Sequence, residues 1–392
     1  MPTSPPHEWR QRLIDRFRRQ VAFAVGYSPL YACLFETLAG WLEADEAAGA
    51  WLLQAGAGRD AFDVPLLLAA GLHRDVLAGE PATAALATFY PTVGGVRLPE
   101  ATALGPALRA AILARREGLA AFIQSAHVQT NETGRGLVWL LPILGAGWGG
   151  VHLVDIGASA GLNLAAEARA YRLLTTADRP ILDVGAGQPV QFQVRCAGAL
   201  EVLTGGACPP VMSRLGCDIA PFHLDSAENE RTLAAFIWGD QPQRLQRLRE
   251  GIDAYRRLAQ TPAPVRLFPV RLPDELPAFL SHVVAPQIQA DRWPLVIYNT
   301  WMRNYLPDKG QSLRASLGGW AQEQARPVIW LQWEPPEADE LPPPLPDWCV
   351  LSAETWQPSP QRWRLGCVHP HGTQLSLEPA WRDWARFGRG LA

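Results

Sequence analysis

The sequence predicts an α/β fold, with an all-helical region over residues 1–148 and a mostly parallel sheet over residues 149–392. Three observations predict it. Ala and Leu dominate the first 148 residues at helical spacing, and β-branched residues are few there. Beyond that point, short apolar β-rich runs alternate with helical patterns, the texture of βαβ units. The first of those runs ends in an acid and a glycine-containing loop of small residues.

Composition narrows the class. The chain has 392 residues, 48% hydrophobic and 19% charged, which excludes a disordered chain, a collagen and a coiled coil. With 35 basic and 38 acidic residues the net charge is −3, so no basic surface for a nucleic acid is expected. The six cysteines include no C-x-x-C pair, which reads as a reduced, cytoplasmic chain without a zinc site. Residues 8–20 are charged where a signal peptide would be apolar. The apolar stretch from Gly136 to Val154 contains Pro142 and runs into Asp155, so it reads as helix, loop and strand rather than as a membrane span. The expected partners are a small-molecule substrate and at most a second copy of the chain.

Element by element, helices are expected over 8–25, 28–43, 46–55, 61–78, 81–89, 104–125 and 130–144. The first carries Trp9, Leu13, Phe17 and Val21 on one face. Strands are expected at 151–156, 190–196, 265–270, 294–300, 327–333, 348–356 and 362–369, with helices at 161–174, 226–237, 241–259, 274–289 and 307–325. The last two strands have no helix between them and should form an antiparallel hairpin at the sheet's edge. Glu334 to Pro346 holds six prolines and reads as a long loop or lid.

The stretch Val151-His-Leu-Val-Asp155-Ile-Gly157-Ala-Ser159-Ala-Gly161-Leu-Asn163 carries the chemistry. Small residues after a strand let a ligand approach the backbone, and a following helix N-terminus would offer N–H groups. The acid-x-Gly-x-Ser-x-Gly pattern resembles the first motif of class I S-adenosylmethionine (SAM)-dependent methyltransferases. Gly216-Cys-Asp218-Ile-Ala-Pro221 is similar to the turn that closes the second strand of that class. A closer match as text, Asp183-Val-Gly185-Ala-Gly187, is followed by Pro189 and an alternating strand pattern, so it reads as a turn leading into an inserted hairpin near 185–205.

Four strings resemble the bacterial domain of unknown function 2332 family, which itself looks like a SAM-dependent methyltransferase. They are His127-Val-Gln129-Thr-Asn131-Glu132-Thr-Gly134-Arg135, Gly157-Ala-Ser159-Ala-Gly161-Leu-Asn163-Leu, Arg214-Leu-Gly216-Cys-Asp218 and Leu365-Gly366-Cys-Val-His369-Pro370-His371-Gly372. The resemblance implies a Rossmann-like sheet holding SAM, or S-adenosylhomocysteine as product, at Asp155, Gly157, Ser159, Gly161, Asn163 and Asp218, with Asn299 close by. It departs from the family where Pro269-Val270 stands in place of the usual Gly-Asp.

Polar residues around that loop supply the remaining candidates. Glu132, Tyr305 and Glu334 are the expected catalytic groups, and Gln129, Asn131 and Arg303 the expected substrate contacts, Arg303 because its planar fork suits a carboxylate. Glu132 and Arg135 are one helical turn apart and equally read as an ion pair. His369 and His371 alternate across a strand, with no third ligand for a metal, and read as a hairpin tip. The expected function is metal-free methyl transfer from SAM to a small molecule in a cleft capped by the N-terminal helices. The alternatives are a non-catalytic SAM-binding or ligand-sensing protein, and a structural protein with an empty fold.

Overall fold

The computed structural model describes residues 6–44, 46–129, 132–144, 146–187, 192–203 and 207–391. They form two compact units, one made of residues 1–130 with 224–246, the other of 131–223 with 247–392. The division therefore differs from a single cut at residue 148. A segment from the middle of the chain joins the N-terminal helices, and the last expected helix of that region, 130–144, belongs to the sheet unit.

The first unit is helical. Its long helices are Pro6–Ala24, Pro29–Glu43, Val64–Leu77 and Ala101–Ser125, and Ala227–Ala235 packs among them. The second helix starts where Ser28 accepts a hydrogen bond from the Tyr31 N–H and Pro29 takes the first helical position. Leu13, Phe17, Leu34, Phe35, Leu67 and Leu108 are fully buried in the shared core. Segment 224–246 is fixed there by polar bonds as well as by packing. Ser28 Oγ donates to Asp240 at 2.7 Å, His73 Nδ1 contacts the Ala235 carbonyl at 3.2 Å, and the Trp238 ring stacks on Tyr31 at 4.7 Å.

Among the described residues, the second unit is built on one eleven-stranded sheet. Its strands are β1 (Val151–Ile156), β2 (Tyr171–Thr175), β3 (Pro180–Val184), β4 (Phe192–Gly198), β5 (Val211–Asp218), β6 (Val265–Pro269), β7 (Leu295–Thr300), β8 (Val328–Glu334), β9 (Cys349–Thr355), β10 (Gln361–Val368) and β11 (Gln374–Leu377). They lie in the order β3-β2-β4-β11-β10-β9-β8-β7-β1-β5-β6. The five strands β6-β5-β1-β7-β8 are all parallel, and β11-β4-β2 form a second parallel set. Alternate residues of the central strands enter two separate cores. Val154, Ile297 and Trp330 face one side; Leu153, Val296 and Leu331 face the other. The protein is thus a mixed α/β chain with a mostly parallel sheet and an N-terminal helical region.

Three expectations need correction. The β9–β10 hairpin forms, but in the interior of the sheet, because β11 and β4 continue the ladder beyond it. The helix expected over 161–174 is a 3₁₀ segment, Leu162–Ala168, followed by β2. The Leu and Ala spacing fits a helix, but Arg169 turns extended at φ −102°, ψ 175° and is fully buried, with Nε 2.8 Å from Glu250 Oε2. Sheet pairing of Tyr171-Arg-Leu-Leu-Thr then overrides local propensity. Finally, the inserted hairpin is β2–β3, earlier than 185–205, and it lies at the sheet edge opposite β5 and β6. Residues 190–191 of the expected strand fall outside the described residues.

The Asp240 carboxylate accepts from Ser28 Oγ and from the Leu30 N–H at 3.2 Å. Asp240→Ala is expected to destabilise the chain by about 1–3 kcal/mol, by leaving those donors without their acceptor. Urea unfolding followed by circular dichroism measures it; an unchanged midpoint shows that 224–246 is only loosely attached.

Candidate functional site

Within the five-strand parallel set, β5 and β6 lie on one side of β1 and β7 and β8 on the other, with β2 to β4 inserted at the far edge of the sheet. The reversal of strand order between β1 and β7 is a topological switch point, where open α/β sheets bind ligands at the carboxyl ends of their strands. Asp155 sits at that end of β1, level with Gly216 on β5 and Tyr298 on β7, and Asp218 is the last residue of β5.

The loop after β1 is drawn over β5. The N–H groups of Gly157 and Ala158 donate to the Cys217 carbonyl at 2.8 and 3.0 Å. Ser159, in the left-handed region at φ 50°, donates its N–H to Asp218 Oδ2 at 2.9 Å, while the Ala220 N–H reaches Oδ1 at 3.1 Å. Gly157 has φ 83°, and a Cβ there would lie 2.7 Å from Met302 Cγ. A Cβ on Gly216 would lie 2.8 Å from the Cβ of Ala158. These glycines let the loop close against its own chain. Arg214, buried, holds the far side of the loop through the carbonyls of Leu164 (3.1 Å) and Ala263 (2.6 Å) and an ion pair with Glu167.

Asp155 is 3% exposed, beside the Tyr298 hydroxyl and near Asp218. Burial pushes its carboxyl up to about 8, with the Asp218 charge adding to the effect and Tyr298 opposing it. It is therefore largely protonated at neutral pH.

The exit of β7 is a second polar centre. Glu334, the last residue of β8, accepts at Oε1 from Asn299 Nδ2 (2.6 Å) and the Met302 N–H (2.8 Å), and at Oε2 from the Arg303 N–H (3.2 Å). Its carboxyl is raised by burial, while those N–H donors and Arg303 act in the opposite direction. Asn299 Oδ1 in turn accepts from Trp330 Nε1 at 2.6 Å. This network holds Trp301 at φ 56°, a conformation that costs a non-glycine residue about 1–3 kcal/mol and persists only where the surroundings enforce it. Both Glu334 oxygens and both ends of the Asn299 amide thus build the turn. Arg303 is drawn onto the Pro-rich loop, pairing with Glu337 and donating to the Pro335 carbonyl at 2.9 Å. Tyr305 is 54% exposed.

Glu132 lies elsewhere than its sequence neighbours suggest. It is 4% exposed, and its Oε2 is 3.0 Å from Nδ1 of His371. Arg135 Nε donates to the Pro370 carbonyl at 3.0 Å, and its guanidinium lies 5.4 Å from the Trp301 ring centre. The two strings Glu132-Thr-Gly-Arg135 and His369-Pro-His-Gly372 therefore meet beside the β7 exit. A Cβ on Gly134 would strike Phe192 and the His371 carbonyl, at 2.4 and 2.8 Å, which explains its glycine.

The remaining candidates scatter. Asn131 lies outside the described residues. Gln129 is buried in the first unit. Asn163 is part of the wall, its carbonyl accepting from Trp139 Nε1 at 2.8 Å and its Oδ1 buried without a partner. Asp183 is an exposed partner of Arg172, and the described chain beyond Gly187 resumes as strand β4. Gln332 was missed: it is level with Asn299 on β7, 2% exposed, and neither amide atom has a hydrogen-bond partner. A cavity of about 280 Å³ lies away from the switch point, lined by Leu141, Leu144 and Leu182 and by Trp384 of helix Trp381–Arg389. Among the described residues no group of three or more His, Cys, Asp or Glu is placed to hold a metal ion, and no helix is long and apolar enough to cross a membrane.

A mixed α/β chain with acids at the carboxyl ends of its central parallel strands defines a broad class. Within it, residues 14–376 match the family described as uncharacterized proteins conserved in bacteria, DUF2332, and the chain belongs to that family. No curated protein matches the chain, and no solved structure does.

Two measurements check this site. Gln332→Leu keeps the volume and removes a buried amide whose missing partners cost about 1–3 kcal/mol, so the melting temperature should rise. A fall would show that the amide serves the fold. For Asp155 the folded pKa, about 8, lies above the unfolded value of 3.8. The native state binds the extra proton between them, so stability falls as pH rises through that window. Asp155→Asn should flatten the slope in urea titrations between pH 4 and 9; a slope that persists places it in other groups.

Proposed function

We propose that the chain binds S-adenosylmethionine at the switch point and transfers its methyl group to a small molecule. One observation carries the reading. Two carboxyl groups, Asp155 and Asp218, flank the small-residue loop at the carboxyl ends of adjacent parallel strands, where Ile219 stands 66% exposed. These residues fit an adenosine bearing an ammonium group. Each Asp218 oxygen takes one backbone N–H and keeps a lone pair for a ribose hydroxyl. Ile219 offers apolar surface to a base. Asp155, largely protonated alone, becomes a carboxylate when a cation adjoins it.

Bound there, the cofactor supplies an activated methyl group. The chain's own residues orient the acceptor and shield it from water. A second reading, binding without transfer, is favoured by Val270, which is buried directly after β6 where a carboxylate is expected.

The test is calorimetry with S-adenosylhomocysteine. Asp218→Asn is expected to weaken binding at least about tenfold, the loss of one charged hydrogen bond of about 1.5–3 kcal/mol. Ile219→Asp, on the surface, should weaken it without changing the melting temperature, and Asp183→Ala should leave it unchanged. Ionisation of Asp155 should release a proton on binding near pH 7, visible as a dependence of the heat on buffer. Absence of binding at millimolar ligand, or a large loss in Asp183→Ala alone, overturns the assignment.

A further inference from the structure

We propose that His371 is the proton acceptor for the methyl-accepting group and that Glu132 is its positioning residue; this rests on the cofactor reading above. The placement follows from the sheet. β9 is antiparallel to both β8 and β10, so β10 runs parallel to β8. Val368 is paired with Cys349, one residue along from Val350, the partner of Glu334. The turn His369–Gly372 therefore leaves the sheet at the same end as Glu334.

Contacts tie that turn to the glycine loop. The Pro370 carbonyl accepts from Arg135, Arg135 lies over Trp301, and the next residue, Met302, fills the space against Gly157. Every link belongs to the sheet unit. A left-handed Trp301 in the middle of this chain is strain of the kind that collects at working sites.

The pair itself has the geometry of an oriented base. A Glu132 carboxylate 3.0 Å from Nδ1 favours the tautomer that carries its proton there and leaves Nε2 as the basic nitrogen. Glu132 is fixed in turn, since its other oxygen accepts from the Gly134 N–H at 3.4 Å. The His371 side chain is 17% exposed, against 4% for Glu132, so the imidazole is the more accessible partner. Among the described residues, the charged and titratable groups around the pair include Arg169, which acts on Glu132, Arg135, which donates to the Pro370 carbonyl, and His369, whose ring centre is 5.4 Å from that of His371. His369 Nδ1 accepts from the His371 N–H at 3.2 Å and so fixes the turn.

In the step, His371 Nε2 takes the proton of an O–H or N–H acceptor. The electron pair left on that atom forms the bond to the methyl carbon, and the carbon–sulfur bond breaks with its pair staying on sulfur. The imidazolium formed is stabilised by Glu132.

Diethyl pyrocarbonate, which acylates the neutral imidazole, tests this without a known acceptor. The rate at each histidine is read by mass spectrometry. We expect saturating S-adenosylhomocysteine to slow His371 at least fivefold and to leave the exposed His282 unchanged. We expect Glu132→Gln to lower the pH midpoint of the His371 reaction by about one unit, through loss of the neighbouring charge. The same variant should bind S-adenosylhomocysteine as the parent does, which shows that it folds. Bound ligand with no protection of His371, or an unchanged midpoint in Glu132→Gln, overturns the proposal alone. Failure of the ligand to bind the parent overturns it together with the cofactor reading.

Discussion

The buried carboxylate of Glu334 is the constraint on which the rest of the candidate site depends. It is the last residue of β8, yet it organises the exit of β7 by accepting the N–H groups of Met302 and Arg303 and the amide of Asn299. Those acceptances, together with the Trp301 N–H donating to the Trp333 carbonyl at 2.9 Å, keep Trp301 left-handed. The turn sets Met302 against Gly157 on one side and the Trp301 ring under Arg135 on the other. The glycine loop and the histidine turn are thus registered to each other through one joint.

The loop side of the site was legible in the sequence because its signals are local. Asp155, Gly157, Ser159 and Gly161 fall within seven residues, and Asp218 sits in its own short turn. The reason for the glycines was not legible. Gly157 admits Met302 and Gly161 admits Leu267 and Val265 of the same chain, contacts made across strands. The histidine side was legible only as two separate strings, since Glu132 and His371 are 239 residues apart. Glu334 was picked out for its position, but a carboxylate that caps a turn and one that faces a cleft look the same in sequence.

The fold shows a similar division. The parallel strands β1, β6, β7 and β8 are short runs rich in apolar residues, and pattern alone locates them to within a residue or two. The strand β2 is hidden because Leu and Ala around it keep helical spacing, while the buried pair of Arg169 with Glu250 and the pairing with β3 and β4 hold the chain extended. β11 has only four residues, and its place between β10 and β4 follows from long-range pairing. That pairing carries the sheet to eleven strands and puts the residues inserted between Asp155 and Asp218 at its far edge.

The segment 224–246 gives the helical unit a history as well as a shape. The ribosome makes Tyr31 about two hundred residues before Trp238, the ring that stacks on it. At about 5–20 residues per second, the N-terminal helices wait roughly 10–40 seconds for the side chain that completes their core. During that interval a face carrying Tyr31 and Phe35 stays uncovered, and the chain emerging behind it already includes β1 to β5. An all-helical unit rich in local contacts, which by its topology would fold fast, is therefore held to the pace of synthesis.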